Sequence, residues 1–288
     1  MLQLGKINTL KVLRTSDAGM YLGDEDHNEV LLPNSSIRTK LKSRDMIEVF
    51  IYKDSEDRLI ATTQIPTAEV FSFAYLKVKS VSDVGAFLDW GLEKDLFVPY
   101  SEQKTDLVEG ESYVVYIYID ETTERIIGSS KINKFVSNEH LKVEAGEEVD
   151  LIVFEESPLG FSCVINGMHR GLIYRNDIYK ELNLGDVLKG YIKTIREDNL
   201  IDLSLQKSGF KNVLSSTEII LEYLHENKGF LNLTDKSSPE EIAKKFSMSK
   251  ATYKKSLGVL YRQRKVLLKE DGVYLVKAEP GKVDSVAE

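Results

Sequence analysis

The chain has a single cysteine, Cys163, in 288 residues, so no internal disulfide is available to it. Phe161, Val164 and Ile165 surround that cysteine, which reads as a packed strand thiol rather than a reactive one. Histidine is almost as scarce: the four, at 27, 140, 169 and 225, are far apart, and no Cys/His cluster has metal-ligand spacing. No apolar run is long enough to span a membrane. The start, MLQLGKINTLKVL, lacks the charged beginning, unbroken apolar stretch and small-residue cleavage site of a secretory signal. A glycine-rich phosphate loop and a nucleophile elbow are missing as well. These absences point to a cytoplasmic, non-enzymatic chain with no cofactor, no metal and no membrane contact.

Positive charge is also short, but unevenly. The formal net charge is −8. Residues 1–208 hold 24 Lys and Arg against 35 Asp and Glu, a balance of −11, whereas residues 209–277 hold 13 against 8, a balance of +5. Attraction to phosphates follows the local field, so the C-terminal part keeps a nucleic-acid partner in play.

What the sequence has in abundance is internal repetition. One order of parts recurs three times: an alternating run, a glycine-centred bend, a short apolar strand and two closing strands. The three bends read SDAGMYLGD, SDVGAFLDWG and SPLGFSCVING, followed by EVLLPNSSI, DLFVPYSEQ and RGLIYRNDI. Tyr113, Val115, Ile117 and Ile119 alternate with Val114, Tyr116 and Tyr118, the period-two pattern of strands. Five short strands in so few residues suit a small closed barrel, because closure removes the edges along which open sheets aggregate.

After Leu205 the period changes to that of helices. STEIILEYLHENKG predicts a helix capped by Ser215 with Glu218 and carrying an apolar stripe of Ile219, Ile220, Tyr223 and Leu224. SSPEEIAKKF predicts a second, with Ser238 as cap, Pro239 at the first turn and Glu241 closing the box. KATYKKSLGVLYRQRK follows after a short turn, and VLLKEDGVYLV predicts a hairpin at Asp271-Gly272. Helix, helix, helix and wing in that order look like a winged-helix domain. At 100° per residue Tyr253, Leu257 and Leu260 share one side, with Lys254, Lys255, Arg262 and Lys265 away from it and Ala251 and Gly258 leaving room for a close backbone. Lys250, at the start of the same helix, joins that basic set.

The expected fold is therefore multidomain and mainly β: three five-stranded OB-fold barrels, then an α+β winged helix. The expected boundaries are 1–66, 67–140, 141–208 and 209–278, with a flexible tail at 279–288.

The repeats, above all VSDVGAFLDWG, DLFVPYSE, RGLIYRND and IDLSLQK, resemble the S-one RNA-binding domain. Barrel order, SPEEIA and SKATYKKSLGVLYR together resemble the bacterial conserved virulence factor B family over nearly the whole chain. The first resemblance implies an RNA face with an aromatic after the glycine bend, an aromatic or His at the next strand end and a cation near the closing hairpin. Carried over, the first position falls on Tyr21 and Phe87, and the strand-end position on Pro33, Pro99 and Tyr174. In the third repeat Phe161 stands one residue out of step, facing out or in. Arg170 and Arg175 flank Tyr174, and His169 beside it is either a phosphate contact or a plain loop residue. The hairpin cation falls on Arg58, Arg125 and, in the third repeat, Lys193 or Arg196. The family resemblance implies an RNA-binding regulator of gene expression whose winged helix helps to bind RNA. The expectation is a monomer that binds single-stranded RNA mainly through the third barrel and winged helix, with the first two barrels as weak readers or spacers. A DNA-binding transcription factor, and an adaptor on the ribosome or transcription machinery, are the alternatives.

Overall fold

The structure is a computed structural model that describes residues 1–37, 41–178, 180–206 and 210–276, without the side chains of 210–215. The tail expected at 279–288 and the stretch Lys207-Ser208-Gly209 lie outside the described residues.

Strands β1 (Ile7–Ser16), β2 (Gly19–Gly23), β3 (Glu29–Pro33), β4 (Met46–Lys53) and β5 (Leu59–Thr62) close a barrel in the order β1-β2-β3-β5-β4. The second barrel repeats it with β6 (Ser72–Val81), β7 (Gly85–Asp89), β8 (Leu96–Pro99), β9 (Ser112–Ile119) and β10 (Ile126–Ser129). The third is built of β11 (Glu148–Ser157), β12 (Gly160–Ile165), β13 (His169–Tyr174), β14 (Val187–Ile195) and β15 (Ile201–Ser204). In each, one parallel pairing of the third strand with the fifth shuts the cylinder: Leu31 with Ile60, Phe97 with Ile127, Ile173 with Leu203. Alternate residues such as Leu10, Leu76 and Leu151 turn inward and are at most 2% exposed. The long first strand carries a bulge at the same place in all three, after Val12, Val78 and Val153, which bends it round the barrel.

Glycine at the bend is a steric requirement. A Cβ on Gly19, Gly85 or Gly160 would stand 2.1, 2.4 or 2.0 Å from the carbonyl oxygen of Leu32, Val98 or Ile173 on the neighbouring strand. Cys163 lies within the third core, where burial pushes its thiol up to about 12.

The barrels touch through apolar contacts. Trp90 of barrel two meets Phe50 of barrel one edge-on at 5.6 Å. Between barrels two and three, Tyr116 stacks on Phe135 at 4.2 Å, and Ile132 and Val136 of the connecting segment are buried with Val164. Tyr116 thus serves packing between the two barrels.

In the C-terminal domain α1 (Phe210–Glu226), α2 (Pro239–Phe246) and α3 (Lys250–Arg262) pack against a sheet ordered β16 (Phe230–Leu231), β18 (Gly272–Leu275), β17 (Val266–Lys269). The box at α2 forms as expected: Ser238 Oγ accepts the Glu241 amide at 3.2 Å and Glu241 accepts the Ser238 amide at 3.0 Å. Other expectations fail. Helix α1 starts at Phe210, so Ser215 is interior and does not cap it. Ile219, placed on its apolar stripe, is 44% exposed, while Ile220 and Leu224 are buried. The wing turn is Glu270-Asp271, because Lys269 pairs with Gly272. Gly272 serves instead to let β18 approach β16, since a Cβ there would lie 2.3 Å from the Leu231 carbonyl oxygen.

Candidate nucleic-acid interface

Strand register makes the three barrel faces comparable. Gly19, Gly85 and Gly160 stand opposite Pro33, Pro99 and Tyr174. Two residues on, Tyr21 and Phe87 lie opposite Leu31 and Phe97, and the matching residue of β12 is Ser162, opposite Leu172. Phe161 therefore aligns with Met20 and Ala86, the inward positions, and is only 7% exposed within the core. Of the two facings open to Phe161, strand alternation, in which one residue of offset reverses the side, gives the inward one, so Phe161 does not stand on the RNA face.

His169 is corrected as well. It is 3% exposed, its Nδ1 lies 2.6 Å from the Ser137 carbonyl oxygen, and its Nε2 accepts the Lys142 amide at 3.1 Å. Both ring nitrogens are engaged by the segment entering barrel three, so neither faces a phosphate.

The remaining cations of barrel three divide by partner. Arg175 donates to the Glu156 carboxylate at 2.8 Å and to the Ser157 and Pro158 carbonyls, which staples the turn after β13 to the β11–β12 turn. Lys193 pairs with Asp177 at 2.6 Å. Arg196 pairs with Asp202 at 2.9 Å and donates to the Tyr174 hydroxyl at 2.5 Å, and these partners raise its pKa, Asp202 most. Among the described residues the Arg170 guanidinium has one side-chain partner, the uncharged Asn133 Oδ1, at 3.1 Å. Tyr174, Arg196, Arg170, Ser162 and Leu159 line a hollow of about 280 Å³.

Barrel two has the richer aromatic face, with Phe87 and Phe97 rings 5.1 Å apart beside a hollow of about 260 Å³ walled also by Trp90 and Tyr52. The two cations of barrel two that line this hollow, Arg125 and Lys94, are turned to barrel one. Arg125 Nε donates to Asp57 at 2.9 Å, lowering that carboxyl's pKa. Lys94 donates to the Lys53 and Asp54 carbonyls at 2.9 and 2.8 Å, and burial lowers its pKa. In barrel one the Arg14 guanidinium sits 4.0 Å from the Tyr21 ring centre, and Arg58 is held by Asp54 at 2.7 Å and Glu56 at 2.8 Å.

Along α3, Tyr253, Leu257 and Leu260 are buried as expected, while Lys254, Lys255 and Arg262 are exposed, as is Lys265 just after the helix. Lys250 donates to the Lys236 carbonyl at 3.2 Å, Lys254 stands 3.8 Å from Asp235, and Arg262 reaches only the Gly258 carbonyl at 3.2 Å. Lys255 and Lys265 have no ion pair among the described residues. Nothing stands within 4 Å of a Cβ built on Gly258, so the helix leaves open space there.

Helix α3 packs beside the Arg175–Asp177 turn, and Gln206 Nε2 donates to the Ser247 carbonyl at 3.3 Å. The end of β13 and the start of α3 are thereby neighbours. Phe97, Arg14 and Asn133 escaped the sequence reading. All three lie outside the S-one positions carried over. Among the described residues no group of three or more His, Cys, Asp or Glu could hold a metal, and no helix is long and apolar enough to cross a membrane.

Residues 4–64 and 72–128 match the S1 domain family, and residues 218–275 match the CvfB-like winged helix domain. The uncharacterized Bacillus subtilis protein YitL is 29% identical over 94% of this chain and 93% of its own. Conserved virulence factor B of Staphylococcus aureus is 22% identical over 98% of this chain and 97% of its own. A solved multidomain protein with nucleic acid binding domains from Streptococcus pneumoniae is 25% identical with a TM-score of 0.40, covering 95% of this chain and 98% of that one.

Proposed function

We propose that the chain, which carries S1 domains and a CvfB-like winged helix and is similar to conserved virulence factor B over nearly its whole length, regulates gene expression by binding single-stranded RNA. One observation carries the reading: the Tyr174 ring and the Arg196 and Arg170 guanidinium groups line one hollow, and the turn that follows Tyr174 packs against the basic helix α3. A ring stacks on a base whatever its identity, guanidinium groups meet phosphates, and an OB-fold face is wide enough for several nucleotides. Lys254, Lys255, Arg262 and Lys265 would extend the phosphate track. On this reading barrels one and two act chiefly as a scaffold, and no catalytic step is involved. The virulence-associated role named for the Staphylococcus aureus relatives fits such a regulator.

Binding isotherms with single-stranded RNA, duplex DNA and ribosomes at one salt concentration test the proposal. Single-stranded RNA should bind tightest. Tight binding to duplex DNA alone would make the winged helix a groove reader and overturn the RNA reading, and binding to ribosomes alone would favour an adaptor.

A further inference from the structure

A cleft of about 540 Å³ lies between barrels two and three, within the usual size of small-ligand sites, roughly 300–1,000 Å³. Tyr75, Tyr113 and Phe154 form its walls, and Lys104, Lys131 and Lys134 stand around it. Asn133 lines this cleft and also the Tyr174 hollow. Phe154 and Glu155 line both as well, so the two spaces share three residues, and Asn133 stands on a segment pinned by buried Ile132 and by Phe135 stacked on Tyr116.

We propose that this cleft is a second RNA site, which takes the next bases of a strand lying across the Tyr174 face. The inference rests on the RNA reading above and adds a place and a chemistry to it. Rings on the cleft walls offer stacking to any base. The Asn133 amide offers both donors and an acceptor to a base edge. Three lysines stand at a cleft that also carries Glu111 and Glu155, a local excess of positive charge in a region whose overall balance is −11, and such an excess favours phosphate. Lys134 is paired with Glu102 at 2.7 Å and Lys104 with Glu155 across the cleft, but Lys131 donates only to the Ser101 carbonyl, at 2.6 Å. Among the described residues Lys131 makes no ion pair, and its charge acts on the Glu102 carboxyl only at longer range, so it is the least engaged of the three cations that a passing phosphate would meet.

The test uses the full chain and two oligouridines bearing 5-iodouridine, one of about four nucleotides, enough for a single OB face, and one of about ten. Lys131→Glu should weaken the longer RNA about tenfold and change the shorter by less than about twofold, with an unaltered melting profile. Photocrosslinks from the longer RNA to the unaltered protein should fall on the peptides carrying Tyr113 and Phe154. Equal losses for both lengths, or crosslinks confined to β13 and α3, would overturn the cleft and leave the RNA reading standing. Occupation of the cleft by an acidic peptide in place of RNA would assign it to a protein and overturn it too. Failure of both RNAs to bind at all would defeat the underlying reading itself.

Discussion

Barrels two and three share a register, a bend and a bulge, yet their faces are put to different uses. Barrel two keeps the aromatic pair Phe87 and Phe97, but Arg125 and Lys94 reach over to barrel one and hold the two barrels together. In barrel three Ser162 replaces the bend aromatic, while Tyr174 and Arg170 line a hollow where Arg196 is paired within its own barrel, with Asp202, and the turn after Tyr174 packs against the basic helix. A motif shows that a face can exist, and the partners of its cations decide whether that face is free. The neighbouring domain, absent from any local pattern, sets the difference.

The widest separation between the two regions should come from α3. Lys254→Glu with Lys255→Glu should cut affinity for single-stranded RNA on the order of 100-fold at low salt and reduce the salt slope by about 1 to 2. Titrations at several salt concentrations would measure both, and an unchanged slope would remove α3 from the interface. Tyr174→Ala should cost about tenfold, within the roughly 1–3 kcal/mol found per stacked base. The matching change in barrel two, Phe87→Ala, should move RNA affinity by less than about threefold while lowering stability by about 1–2 kcal/mol through lost ring packing. Denaturant melts beside the isotherms separate those two effects, and equal RNA losses from Tyr174→Ala and Phe87→Ala would erase the contrast between the barrels. Arg58→Glu should fall within about twofold of the parent, because two carboxylates already occupy that cation. Cys163, with its thiol pushed up to about 12 by burial, should resist alkylation at pH 8, where about one thiol in ten thousand is ionised, and react at once in denaturant.

The barrels were legible because period-two alternation and three obligatory bend glycines leave a mark at every repeat. The α2 box was equally legible, since Ser238 and Glu241 satisfy each other's backbone within one turn. Exposed or buried at Phe161 was not legible, because that depends on which residue of β13 faces Gly160, a long-range register. His169 was misread for a related reason: its partners Ser137 and Lys142 lie on a connecting segment whose path no local signal fixes. The start of α1 and the wing turn failed where a good local signal met a stronger tertiary one, as at Gly272 against Leu231. Inter-barrel pairs such as Arg125 with Asp57, and the cleft at Asn133, have no sequence signature at all.

Amide hydrogen exchange on the full chain, with and without saturating single-stranded RNA, tests most directly where binding is concentrated. The account predicts slowed exchange at β13 and the turn after it, across α3 and in the Ile132–Lys134 segment, with β7 and β8 unaffected. Protection at β7 and β8 with none at β13 or α3 would contradict it.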